Sequence, residues 1–500
     1  MRESAFAKII PVGLAVVGVV LIFVWLSSDA GSELTYRIGG TDGTPPEKVA
    51  DTNEPVKIAG ELATFDGVPA DLPGGWPQFR GPNFDAISTQ EIKLARTWPA
   101  AGPKVLWSVD VGPGYAGVAI LAGRVYMIDY DVDAQADVVR CLSLLDGRDI
   151  WRYSYPVAIK ASHGTMSRTV PAVSDKYVVT IGPKCHVTCL DAATGEFRWM
   201  YNLVREFNTI VPEWYAGQCP LIDDGKAIIA PAATADDDRA SVVPTGGLAD
   251  SGHTIAAEGV LMMAVDCQTG EIVWQTPNPD GWIMTHSSIV PMEFKGRRFY
   301  VYSGGDNKKG GVVGVSDLDG SVLWKTDKWR LKHSVPTPVV VGQDGIFLTA
   351  GYGQRNIGCG MLRLRESGGA VLASLEYVHP PDVFGSIQQS PIYYDGYIYG
   401  VRPDKQLVCL APDGNVVWTS TTANKFGRNG GPYAIVNGLL YIMDDEGKLT
   451  LAEATPEGYL PLAHAKVLDG RESWGPMAIA GNRMIVRDTL KMICLDISEQ

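Results

Sequence analysis

The chain has 500 residues, of which 46% are hydrophobic and 20% charged, with 56 Gly, 32 Pro and a formal net charge of −13. Such a composition is globular and supplies enough apolar material for a large core; the length exceeds one ordinary layered domain but suits one repeat array. The acidic balance argues against general nucleic-acid binding, which needs a basic face to neutralise phosphates.

The first element is N-terminal. Residues 9–26 read IIPVGLAVVGVVLIFVWL, without a charge. As a helix this run spans about 27 Å, close to the hydrocarbon thickness of a bilayer. Arg2 and Lys8 precede it, and Asp29 and Glu33 follow. The positive-inside tendency puts the N-terminus in the cytoplasm and the rest outside. Residues 1–27 are therefore expected to be a signal anchor: one transmembrane helix in a bacterial inner membrane, with the body in the periplasm. A cleaved signal peptide is the competing reading, because Ser28 and Ala30 precede Gly31 as a small-x-small site. Residues 28–75 are rich in Gly, Pro, Thr and acids and read as a flexible tether. Structure is expected from 76 to 500, opening on WPQFRGPNFDAIS.

From Trp107 onward one phrase returns. It reads LLDGRDIWRY, DAATGEFRWMY, DCQTGEIVWQT, SDLDGSVLWKT and APDGNVVWTS. In each copy a Gly precedes a Trp by four residues: Gly147 and Trp151, Gly195 and Trp199, Gly270 and Trp274, Gly320 and Trp324, Gly414 and Trp418. The Gly supplies the positive φ that a hairpin turn or its bulge needs. The Trp then falls on one fixed face of the following strand, by the period of two. A Pro slot recurs as well, at Pro171, Pro220, Pro291, Pro338, Pro391, Pro432 and Pro476, mostly followed by an apolar run and a turn. Pro suits the start of a strand.

The unit thus has four strands in about 41 to 53 residues, the blade period of a β-propeller. The final strands lie at Trp107, Trp151, Trp199, Trp274, Trp324, near Leu375, at Trp418 and near Ala463, which predicts an all-β, eight-bladed propeller, with seven blades as the alternative. KVLWSVDV at Lys104 lacks a preceding blade, and the tail from Trp474 lacks a last strand. The two ends are expected to complete one blade and close the ring, hiding the edges of an open sheet. The long gap between Trp199 and Trp274 predicts a loop inserted in the third unit. Cys141, Cys189, Cys409 and Cys494 occupy one slot of different repeats and read as small buried hydrophobes. A bridge involving Cys219, Cys267 or Cys359 stays open.

Segments before each Pro should begin the innermost strands and line the mouth of the channel. They offer His163, Arg168, Glu213, Trp214, His286, His333, Gln388, Gln389, Arg428, Asn429, Glu472 and Trp474. Two readings follow: a ligand or metal site on the axis, or a wet mouth whose polar groups bond to backbone and water. Lys295 to Gly311 concentrates basic residues and reads as a solvated hairpin or an anionic-partner patch. Asp236 to Asp238 reads as a solvated loop without the spaced oxygens of a Ca²⁺ loop.

CLDAATGEFRW and AVDCQTGEIVW resemble the repeat of the PQQ-like, quinoprotein-type propeller family, whose blades end in Ala-x-Asp-Ala-x-Thr-Gly-x-x-x-Trp. The similarity covers about Trp76 to Asp496. The resemblance implies one of two functions. Non-catalytic members, such as the BamB lipoprotein of the outer-membrane assembly machine, are protein-interaction scaffolds; this reading expects envelope or membrane-protein partners, no cofactor and no catalytic residue. Dehydrogenase members hold pyrroloquinoline quinone (PQQ) with Ca²⁺ near the axis, and their alcohol-oxidising forms place two adjacent cysteines against it. The present sequence has no Cys-Cys pair and no haem signature. A propeller that binds a small ligand such as a sugar is a third reading.

Overall fold

Alternation of side chains builds the strands, and the turns between them set the blades. The computed structural model describes residues 60–90, 92–159, 166–234, 258–352, 357–427, 430–470 and 472–499. The apolar run at 9–26, the tether from 28 to 59, His163, Arg428, Asn429 and Asp236 to Asp238 lie outside the described residues. Among the described residues no helix is long and apolar enough to cross a membrane.

Eight separate sheets follow one another along the chain. Blade 1 runs from Ala119–Leu121 at the axis, through Arg124–Asp131 and Ala136–Ser143, to Asp149–Pro156 at the rim. Blades 2 to 7 begin at Ala172–Val173, Leu221–Asp223, Val290–Phe294, Val339–Val341, Ile392–Tyr394 and Tyr433–Val436. Within every blade the four successive strands pair antiparallel. Blade 8 takes Ala478–Ala480, Arg483–Arg487 and Lys491–Asp496 from the C-terminal end and Lys104–Asp110 from the start. Trp107 lies opposite Cys494 in that last ladder. The ring is therefore closed by one blade made from both ends, and the count is eight rather than seven. The two degenerate final strands are Ala370–His379, which carries Leu375, and Pro461–Lys466, which carries Ala463. Residues 235–257 fall between two strands of blade 3, Lys226–Ile229 and Val260–Asp266.

The recurrent Gly and Trp belong to one contact between consecutive blades. Trp107 of blade 8 packs on Gly147 of blade 1, Trp151 on Gly195, Trp199 on Gly270 and Trp274 on Gly320. A β-carbon at Gly195 would stand 2.6 Å from the Trp151 ring, so the turn must carry Gly; its φ is +77°. The indole N–H of Trp107, Trp199 and Trp274 donates to the carbonyl three residues before the partner Gly, in Leu144, Cys267 and Asp317, at 3.0, 3.0 and 3.3 Å. In blade 5 Tyr377 and His379 replace the Trp, meet Gly414, and the Tyr377 hydroxyl donates to the Pro412 carbonyl. Among the described residues the buried apolar side chains form five clusters, most of them joining neighbouring blades.

The sheet begins earlier than the change of composition at Trp76. Glu61–Thr64 adds a fifth, antiparallel strand to the rim of blade 1, opposite Trp151 to Ser154. Backbone bonding rather than apolar content holds it, since all four side chains are exposed. The chain then crosses to the axis. Trp76 bridges to Ile120 of blade 1, and the Pro77 carbonyl accepts from Val173 of blade 2. Ile87–Ser88 pairs parallel with Tyr433–Val436 of blade 7, and Gln90 accepts from the Gly481 amide of blade 8.

Arg80 fixes this plug inside the ring of innermost strands. Its guanidinium donates to the carbonyls of Phe84, Asp85, Ser390 and Pro391 at 2.8 to 3.1 Å. Burial lowers its pKa to about 10, which leaves it charged at neutral pH. Arg80, Phe84 and Ala86 all take left-handed backbone angles.

Candidate functional site

The segments that precede the innermost strands converge at the mouth of the channel. Trp214, in the segment entering Leu221–Asp223, is the hub. Its ring stacks on His286 at 5.9 Å between centroids and meets His333 at 5.2 Å and Tyr352 at 5.4 Å. Gly217 makes room for this: a β-carbon there would lie 2.7 Å from His286 Nδ1. Trp214 and Tyr215 both adopt left-handed angles, with φ of 67° and 73°. Such angles cost about 1–2 kcal/mol per residue. Local bonds hold them, because Arg168 Nε donates to the Trp214 carbonyl and the Tyr215 amide to Pro212.

A second group joins through Arg168. Its guanidinium lies 4.9 Å from the centre of the Tyr115 ring, a cation–π contact. Tyr115 packs on Trp474 at 5.0 Å, and its hydroxyl donates to Glu472. Gln388 Nε2 donates to the Tyr352 hydroxyl at 2.7 Å, and Gln389 Nε2 to the Trp474 carbonyl at 3.2 Å. His333 Nε2 stands 3.8 Å from Glu213. Arg168, Glu213, Trp214, His286, His333, Gln388, Glu472 and Trp474 thus form one web at the mouth.

The electrostatics follow from burial. His286 is pushed down to about 4, first by desolvation and then by the charge of Arg168, so its imidazole is neutral at pH 7. His333 is lowered by desolvation, against the pull of Glu213. Arg168 is lowered by burial, while Tyr115, Tyr352 and Glu472 hold it up. The cluster is an aromatic and imidazole layer around the half-buried Arg168 guanidinium, with Glu213 and Glu472 at its edges. Among the described residues no three His, Cys, Asp or Glu side chains gather as a metal-binding set. The paired position of His286 and His333 is used for stacking on Trp214.

Sequence reasoning missed Tyr115 and Tyr352. Tyr115 precedes the one innermost strand that lacks the recurrent Pro; GPGY was the signal available. Tyr352 comes from the loop between Gly345–Thr349 and Cys359–Ser367, and no repeat slot marks it. The basic hairpin at Lys295 to Gly311 is largely paired within the chain. Arg298 binds Asp223, and Lys295 and Arg297 lie 3.7 and 3.8 Å from Glu366. All eight cysteines are buried free thiols.

The Gly–Trp turns from Gly147 to Trp324 lie within a match to a known family. The family described as outer membrane protein assembly factor BamB matches residues 134–412. The chain belongs to this family. Solved structures share the architecture at low identity. A europium-containing methanol dehydrogenase is 13% identical, with 83% of this chain and 89% of that chain covered and a TM-score of 0.54. BamB from Moraxella catarrhalis is 12% identical, with 79% and 99% covered and a TM-score of 0.48. The computationally designed Ika8 protein is 11% identical, with 79% and 100% covered and a TM-score of 0.49. The likeness to the methanol dehydrogenase carries the fold alone. A search of curated proteins returned no match.

Proposed function

We propose that the chain is a membrane-tethered scaffold of the cell envelope, whose propeller stands in the periplasm and holds partner proteins through loops on a rigid disc. The observation that carries this reading is how firmly the described residues tie the blades together at the axis: Arg80 bonds the Trp76 segment to the start of blade 6, and Trp214 stacks on His286 and meets His333 of the next two blades. An interaction disc requires such a stiff ring. The family description, an outer membrane protein assembly factor, points to partners in that process. The uncharged run at 9–26 supports the tether.

The dehydrogenase reading asks for a quinone against the axis, Ca²⁺ and, in alcohol-oxidising forms, a vicinal cysteine pair. The described residues do not fit these groups. No two cysteines are adjacent in sequence. Of the carboxylates in the web, Glu472 is engaged by Tyr115 and Glu213 lies beside His333. No catalytic step is derived through the cofactor.

The test is crosslinking in intact membranes, with photoreactive residues at exposed loop positions of the disc. Recovery of the same discrete envelope proteins from several positions is expected. A thermal melt with PQQ and Ca²⁺ supplies the counter-arm, because a specific ligand of the native state raises the melting temperature with concentration. A saturable rise without any reproducible crosslinked partner would sink the scaffold reading.

A further inference from the structure

The repeat brings two thiols together at one place in the ring. In the regular blades a small residue faces the Trp across the last strand pair: Cys141 faces Trp151, Cys189 faces Trp199, and Cys494 faces Trp107. Each Trp reaches the turn of the next blade, so the small residue is brought close to the turn residue three before the Gly. That turn residue is Leu144 in blade 1, Ala192 in blade 2 and Cys267 in blade 3. A thiol of one slot therefore meets a thiol of the other only between blades 2 and 3. The structure places Cys189 Sγ 3.4 Å from the Cys267 carbonyl oxygen, so the Cys189 thiol lies directly against the Cys267 residue. The Trp199 indole donates to the same carbonyl and pins the turn against blade 2. Both cysteines are fully buried. The other thiols have different neighbours; Cys185, for one, faces the sulfur of Met284 at 3.8 Å.

We propose that Cys189 and Cys267 form an inter-blade disulfide when the chain folds under oxidising conditions. The oxidant is a disulfide, either of a small thiol or of a thiol oxidoreductase. One thiolate attacks it, giving a mixed disulfide and releasing one thiol. The second thiolate then displaces the second oxidant thiol. The two cysteines lose two protons and two electrons, and the oxidant disulfide becomes two thiols. The step belongs to folding. In the finished ring Cys189 is sealed from solvent, and its thiol is held well above the usual range by desolvation, so little nucleophile exists there. The same seal protects the completed bond from reductants. The link closes a loop of about 80 residues, long enough to restrict the unfolded chain strongly.

The experiment refolds the detergent-solubilised full chain from denaturant in a glutathione redox buffer. The product is then alkylated under denaturing conditions and mapped by mass spectrometry. Six alkylated cysteines are expected, together with one linked peptide pair carrying Cys189 and Cys267 that separates on reduction. Refolding with excess reductant instead of the redox buffer should give a melting temperature several degrees lower in the wild type and unchanged in Cys189→Ala. Eight alkylated cysteines, or a link through any other pair, overturn the proposal. The peptide map uses wild-type protein, so it decides the matter even if Cys189→Ala fails to fold.

Discussion

Asp137 is a carboxylic acid cut off from water. It sits between blades 1 and 2, fully buried, and a β-carbon at Gly182 would lie 2.4 Å from its Oδ2. Neither carboxyl oxygen has a well-aligned hydrogen bond among the described residues. Burial pushes its pKa up to about 8, with the Tyr155 hydroxyl pulling it back. The folded chain therefore keeps the proton across a range in which the unfolded chain has lost it. The contribution to stability is complete below about pH 4, the ordinary carboxyl value, and is lost as pH rises toward 8. The limiting slope is about 1.4 kcal/mol per pH unit. Asp137→Asn has no proton to lose, so its stability should fall less between pH 5 and 8 than that of the wild type. Urea midpoints at four pH values check this; parallel curves would refute the assignment. No repeat slot marked Asp137, because its setting arises only where two blades meet. The mouth was legible for the opposite reason. Its residues share one position before each innermost strand, so the Pro slot located them, while their stacking partner Tyr352 came from an unmarked loop.

At the scale of the element, the Gly–Trp turn is a joint between blades as well as a bend within one. Gly270 takes φ of +77°, and an added β-carbon would stand 2.8 Å from the Trp199 ring. Gly270→Ala thus meets two penalties, a left-handed angle and a collision in a buried contact. A loss of about 2–4 kcal/mol is expected, more than the cost of the angle alone. Gly396 is the control, since it has φ of +83° and nothing within 4 Å of an added β-carbon. Gly396→Ala should lose only about 1–2 kcal/mol. Equal losses in chemical denaturation would mean that the Trp contact contributes little. The strands, their number and the closing blade were readable because the period repeats these turns, and a defect in two copies does not erase it. The pairing of each Trp with the next blade was not readable, since a period gives spacing along the chain and not which neighbour is touched.

A ring of eight similar blades leaves two problems for the whole molecule: where it closes and what fills its axis. Closure uses one strand from the start and three from the C-terminal end, and a last strand without its blade and a tail without its last strand announced it. The axis is filled by WPQFRGPNFDAIS, whose role as a plug no periodicity marked, because it occurs once. Arg80 is the latch of that plug. It joins carbonyls of the plug, Phe84 and Asp85, to carbonyls that start blade 6, Ser390 and Pro391. A flat fork with several donors can serve four acceptors at once; an ammonium on a flexible stem cannot. Arg80→Met would leave buried carbonyls without donors, and each such group costs about 1–3 kcal/mol. Arg80→Lys should recover only part of the loss. Both variants should keep the ring, because the eight ladders do not pass through Arg80. Hydrogen exchange separates the two levels. Faster exchange is expected at the Ala86 amide, which bonds to the Arg80 carbonyl, and at Ile435, which bonds to Ala86. The inner ladders of blades 3 and 4 should stay protected. Uniform loss of protection through all eight blades would instead make the plug part of the ring's cooperative core.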